Sequence, residues 1–214
     1  MNAPASLKRP RAVGVAAVSS IEELAAIREP GCAAVIWNRA SPDAMTEWLA
    51  GLTPDHMPDG RLALRPGQVR GAVDALLSAA GAPSGEGREM FADDVAKIAR
   101  AFAETAGAAY LRLRLQTVTN NACRKYHLDV VEQRLVCTYR GPGTQYGVAE
   151  GEEDPREVFE TPEGAPILLR GELWRGDAPS GLKHRSPPIE GTGVARLVLV
   201  LDPLDELIDE GMDG

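Results

Sequence analysis

The feature that most constrains this chain is a change of period at Tyr110. Before it, apolar residues recur at helical spacing, with Phe91, Val95, Ile98 and Phe102 three or four apart. After it, Leu111-Arg-Leu-Arg-Leu-Gln-Thr-Val118 alternates with period two, the mark of a strand with one buried face. Further strand-like runs follow at 124–130, 134–140, 167–174 and 194–201. Turn-rich pieces separate them: Gly141-Pro-Gly143, then 151–155, 162–166 and 176–188. Short strands joined by Gly/Pro turns, with no helices between them, predict antiparallel sheets closing as a sandwich, jelly roll or barrel.

The first half reads mainly as helices. Ser20, with Glu23 three residues on, forms a capping box for a helix over 21–28. Ser41-Pro42 opens a second helix, running to about residue 52, with Pro at its first position. Helices are also expected over 68–80 and 87–106, and short strands at 33–37 and 61–66. The expected fold is therefore α+β. A mainly helical N-terminal layer, 1–107, packs on a β-core, 108–203, and an acidic tail follows at 204–214.

Charge narrows the function classes. The 214 residues carry a net charge of −8, which argues against general binding to nucleic acid or an anionic membrane. The acids are unevenly placed. Residues 150–163 hold seven acids against Arg156, and 202–214 hold six more with no base. The remaining body has 18 acids against 22 bases, a mildly cationic core suited to a small anionic ligand. No apolar run approaches the ~20 residues that span a bilayer. Cys32, Cys123 and Cys137 are odd in number and make no disulfide framework. These features predict a cytoplasmic protein.

Two of the three histidines lie in the β-half. His127-Leu128-Asp129 is a His-x-Asp on an expected strand, where residues two apart share a face and can converge on one metal ion. The same pattern also occurs as a cross-strand ion pair on an exposed face. His184 follows in Gly181-Leu-Lys-His-Arg-Ser-Pro-Pro188. Two imidazoles and a carboxylate make the facial set of non-haem Fe(II) sites, with positions left open. Arg196 sits in an otherwise apolar run, so its guanidinium needs an anionic partner. A carboxylate ligand bound by both its oxygens supplies one, and Tyr139 and Thr144 are candidate donors to it.

His127-x-Asp129, His184 and Arg196 on a run of short strands resemble the double-stranded β-helix 2-oxoglutarate/Fe(II) dioxygenases. The resemblance implies a jelly-roll or cupin-like core. It makes His127, Asp129 and His184 the Fe(II) ligands and Arg196 the anchor for the far carboxylate of 2-oxoglutarate. The gap of 12 residues from His184 to Arg196 is slightly longer than the family pattern, so Arg185 stays as a rival anchor. The likeness covers about 108–203 and leaves 1–107 unassigned.

A closer likeness is to a bacterial family of unknown function. It rests on Asn120-Asn-Ala-Cys-Arg-Lys-Tyr-His-Leu-Asp129, Arg134-Leu-Val-Cys-Thr-Tyr-Arg-Gly-Pro-Gly-Thr144 and His184-Arg-Ser-Pro-Pro188. It sharpens the site and not the substrate.

Three functions stay open at this point. One is an oxygenase of unknown substrate. Another is a non-catalytic, cupin-like protein that binds zinc, iron or a small molecule, since two His, one Asp and a water also suit Zn²⁺. The third is an interaction module acting through the acidic loop or tail. A structural zinc site of Cys123, His127 and Cys137 is a further alternative, against the plainer expectation that the cysteines are small buried apolar residues.

Overall fold

The computed structural model describes residues 11–206. Among these residues, ten strands and three α-helices make a mixed α/β protein around a large sheet. In chain order the first strands are β1 (Gly14–Val18), β2 (Cys32–Trp37), β3 (Gly60–Leu64) and β4 (Tyr110–Val118). The others are β5 (Gln133–Arg140), β6 (Gln145–Val148), β7 (Phe159–Glu160), β8 (Pro166–Arg170), β9 (Leu182–Arg185) and β10 (Arg196–Leu204). The helices are α1 (Asp43–Gly51), α2 (Val69–Ala79) and α3 (Glu86–Ala106). No described helix is long and apolar enough to cross a membrane.

Seven strands form the large sheet in the order β1-β2-β8-β5-β10-β4-β3, and three form a small one, β7-β6-β9. The first half is thus not helical alone, because β1, β2 and β3 complete the large sheet at both edges. The capping box at Ser20 is present, but Ile21–Arg28 winds as a 3-10 helix. Residues 14–18, a short run of small apolar residues with no polar alternation to mark a strand, pair parallel to β2.

Period two sorts the residues of the central strands onto two faces. Leu111, Leu113 and Leu115 of β4, Leu135, Cys137 and Tyr139 of β5, and Leu197, Leu199 and Leu201 of β10 share a buried cluster with α1, α2 and α3. Phe91, Val95, Ile98 and Phe102 supply the helical side of that cluster, as their spacing predicts. The alternate residues Arg114, Gln116 and Val118, Arg134 and Val136, and Arg196, Val198 and Val200 face a cavity on the opposite side of the sheet. His184 and Arg185 of β9 line that cavity too, so it lies between the large and small sheets.

Several sequence-based bounds shift. The strand expected over 124–130 is only an isolated bridge at His127. The run over 167–174 ends at Arg170, where Gly171 comes so close to the Val131 carbonyl that a Cβ would meet it at 2.0 Å. The turn-rich pieces hide β9, since a four-residue strand is too short for periodicity to reveal. Asp202, counted with the acidic tail, is a buried residue of β10. The rest of the tail, from 207 on, lies outside the described residues, whereas the acidic loop around 150–160 is largely exposed.

Candidate metal centre

His127 and His184 are brought face to face by the backbone. Each donates its N–H to the other's carbonyl at 3.1 Å, a closely bonded antiparallel pair. Residues opposed in this way present their side chains on one face. The two imidazole centroids are 4.6 Å apart. Asp129 follows two residues later, and its carbonyl accepts the Glu172 N–H at 2.8 Å, which fastens it to the turn after β8.

One ligand atom from each of His127, Asp129 and His184 lies within 4.8 Å of the other two. Among the described residues this is the sole group of three or more His, Cys, Asp or Glu side chains so placed. His127 Nε2 is 3.4 Å from Asp129 Oδ1, and His184 Nε2 is 3.1 Å from Oδ2. His127 Nδ1 lies 2.9 Å from the Lys125 carbonyl. A carbonyl only accepts, so Nδ1 carries the proton and Nε2 of the neutral ring keeps its lone pair for a metal.

The electrostatics suit a cation. Burial pushes the Asp129 carboxyl up, but the adjacent His127 and His184 imidazoles and the nearby positive charges outweigh it, holding the group ionised far below the usual range. The Asp129 carboxylate beside it raises the His127 imidazole above its ordinary value. Asp129 Oδ2 is buried with no hydrogen-bond partner of adequate geometry. An ionised oxygen in that state is costly unless a cation completes it. The donor set thus fits a divalent ion on chemical grounds.

Arg196 lines the same cavity, whose volume is about 100 Å³. It is 1 % exposed, yet its hydrogen bonds are to neutral oxygens: Nε to the Pro142 carbonyl at 2.7 Å and Nη2 to Thr138 Oγ1 at 3.1 Å. Burial lowers its pKa to about 10, and Glu160 is the anion that acts on it through space. A slip in the β5–β10 register between Leu197 and Val198 sets the local backbone beside it. Gly141, at φ +86°, lets the side chain pass, since a Cβ there would stand 2.9 Å from Arg196 Cγ.

The other candidates divide. Thr144 is buried on the cavity wall, and its N–H bonds Thr161 Oγ1 at 3.0 Å. Arg185 also reaches the wall, bonding Gln145 at 3.0 Å and lying over the Tyr126 ring at 4.4 Å. Tyr139 does not join them. One residue along β5 from Thr138, it turns to the helix side, packs edge-on to Phe91 and donates to Asp94 Oδ2 at 2.7 Å. Cys137 shares that face and is fully buried, its thiol pushed up to about 12 by desolvation. Cys123 is exposed at the cavity wall, so strand parity keeps Cys137 out of the proposed three-residue zinc set.

Sequence reasoning missed two charged residues here, Arg134 and Asp202. Arg134 bonds Asp129 Oδ1 through Nη1 and grips Asp202 with Nε at 2.6 Å and Nη2 at 2.9 Å. Arg114, on the cavity side of β4, stands 3.3 Å from Asp202 Oδ2, and burial lowers its pKa. The available signal was parity, which puts Arg114 and Asp202 on the same faces as Val118 and Arg196 respectively.

A search of curated proteins found no match. Among solved structures, the chain is similar to dioxygenase for auxin oxidation 1 from Arabidopsis thaliana in its 2-oxoglutarate complex, with TM-score 0.48, 12 % identity and 91 % and 93 % of the two chains covered. It is similar to a Pseudomonas putida prolyl-4-hydroxylase, with TM-score 0.47, 12 % identity and 88 % and 100 % covered. It also resembles an oxidoreductase of the 2OG-Fe(II) oxygenase family from Burkholderia pseudomallei, with TM-score 0.41, 13 % identity and 90 % and 96 % covered. These are distant likenesses, and the residues of the site carry the functional reading. Residues 19–202 match the family model described as a protein of unknown function (DUF1826), and the chain belongs to that family.

Proposed function

We propose that this protein is a non-haem Fe(II), 2-oxoglutarate-dependent oxygenase built on a double-stranded β-helix core, working in the cytoplasm. The observation that carries the reading is one cavity holding both halves of the requirement. His127 and His184 line its wall, Asp129 has an oxygen within 4.8 Å of both, and the buried Arg196 lines the same cavity without a bonded carboxylate of its own.

In this reading His127 Nε2, His184 Nε2 and an Asp129 oxygen hold Fe(II). The ion, when bound with 2-oxoglutarate, supplies O₂ activation coupled to loss of CO₂ and formation of succinate. Arg196 takes the far carboxylate of 2-oxoglutarate, with Thr138 fixing the guanidinium and Thr144 on the adjacent wall. A dicarboxylate there gives a buried cation its missing counter-ion. The Lys125 carbonyl keeps the His127 proton on Nδ1, away from the metal side.

The test is conversion of 2-oxoglutarate to succinate by protein loaded anaerobically with Fe(II) and then exposed to O₂. Slow substrate-independent turnover is expected, lost in His127→Ala and in Arg196→Met. Stable metal loading with no succinate under any substrate would instead assign a metal-binding protein without oxygenase activity.

A further inference from the structure

The two oxygens of Asp129 meet different surroundings. Oδ1 accepts a hydrogen bond from Arg134 Nη1. Oδ2 has no hydrogen-bond partner of adequate geometry and lies 3.1 Å from His184 Nε2. Oδ1, which also stands 3.4 Å from His127 Nε2, is thus held by the protein, while Oδ2 is left open on the side of His184.

The guanidinium that makes this division is itself fixed. Arg134 Nε and Nη2 fork onto both oxygens of Asp202, at 2.6 and 2.9 Å. Asp202 is 2 % exposed, so the fork is locked from behind. Arg114 Nη2 braces the same carboxylate at 3.3 Å. A planar guanidinium bound on one edge by two bonds has a set direction for its remaining nitrogen. Asp202 also neutralises Arg134, which lets a divalent cation approach Asp129 with little opposition.

We infer that Arg134, anchored by Asp202, is a positioning residue that makes Asp129 a one-oxygen metal ligand through Oδ2. This rests on the metal reading above. It matters for the reaction because a carboxylate that chelates with both oxygens occupies one more coordination position. If Asp129 gave both oxygens to the ion, fewer positions would be left for a co-substrate, so the protein has reason to hold Oδ1 away. A lysine in place of Arg134 carries the charge but cannot grip two carboxylates in one plane.

The test compares crystal structures of Mn(II)-loaded wild type and Arg134→Met, with calorimetric titration of Mn(II) and 2-oxoglutarate in solution. In the wild type, Oδ2 alone is expected on the metal and Oδ1 on Arg134. In Arg134→Met both oxygens are expected on the metal, with 2-oxoglutarate binding weakened about 10–100-fold. Arg134→Lys is expected to behave like Arg134→Met in denticity, although it conserves the charge. Both oxygens on the metal in the wild type, or Oδ2 alone in Arg134→Met, overturns the inference. If Arg134→Met does not fold, Asp202→Asn, which keeps Arg134 but loosens its anchor, decides by the same comparison. A wild type that takes Mn(II) with both oxygens removes this inference alone, whereas one that takes no Mn(II) removes the metal reading with it.

Discussion

Arg170 and Arg196 are the two largest fully buried side chains described in the molecule, and they serve opposite faces of one sheet. Arg170, at the end of β8, turns to the helix side. It donates through Nε and Nη2 to the Ile27 carbonyl, through Nη2 to the Glu29 carbonyl, and through Nη1 to Asp177 at 2.8 Å. It also lies over the Trp174 ring at 4.4 Å. Every part of its charge is answered, and the result pins the 3-10 helix to the sheet. Arg196, on the cavity side, has a carbonyl and a hydroxyl but no bonded carboxylate. The helix side closes on itself, while the cavity side is left electrostatically incomplete. Stability and binding are divided between the two faces of the same strands.

That contrast can be broken most forcefully at Arg170. Arg170→Met leaves the Ile27 and Glu29 carbonyls without their donor, and each orphaned buried group costs about 1–3 kcal/mol. A loss of about 3–5 kcal/mol in urea unfolding is expected, with metal loading of the folded fraction intact. A loss below about 1 kcal/mol would show that Arg170 is not the pin described here.

Arg196→Met sharpens the other side of the comparison. Removing a buried cation without a bonded carboxylate is expected to change unloaded stability by less than about 1 kcal/mol, or to raise it. The effect appears with ligand. For metal-loaded wild type, 2-oxoglutarate at a hundred times its Kd adds about 2.7 kcal/mol. In Arg196→Met that gain shrinks to near zero at the same concentration. Equal stabilisation of both proteins would move the anchor elsewhere, with Arg185 next in line on the cavity wall.

A smaller effect is a reversal of sign with pH. In the metal-free protein His127 titrates above its usual value because Asp129 favours the cation. Its contribution to stability is therefore full below the unfolded pKa of about 6.5 and fades as pH rises through the folded value. A metal needs the neutral imidazole, so the stabilisation by Mn(II) should instead grow over that range. Melting curves from about pH 5.5 to about 8, with and without Mn(II), check this, using His127→Gln as control. Parallel curves in the two conditions would contradict a metal bound through His127.

Much of this arrangement is written in alternation. The Leu-Arg-Leu-Arg-Leu run of β4 sends its leucines to α3 and aims Arg114 at the cavity. Placing Tyr139 beside the ligand violates that parity, since Thr138 already points inward. The spacing of His127 and Asp129 put both on one side, although the segment is a bridge and not the strand expected there. What alternation cannot supply is pairing over distance. The fork from Arg134 to Asp202 joins residues 68 apart, and the acid that receives it looked like the start of a solvated tail. The strands β6, β7 and β9 are too short for a period to declare itself, and only their mutual pairing defines them.

The central claim is that His127, Asp129 and His184 are one metal site, and Fe(II) binding tests it most directly. Anaerobic calorimetric titration of metal-stripped wild type and of His184→Ala with Fe(II) is the measurement. The account predicts one saturable equivalent in the wild type and none at the same concentrations in the variant, with both proteins folded by circular dichroism. Equal binding by the two, or no binding by either, would contradict it.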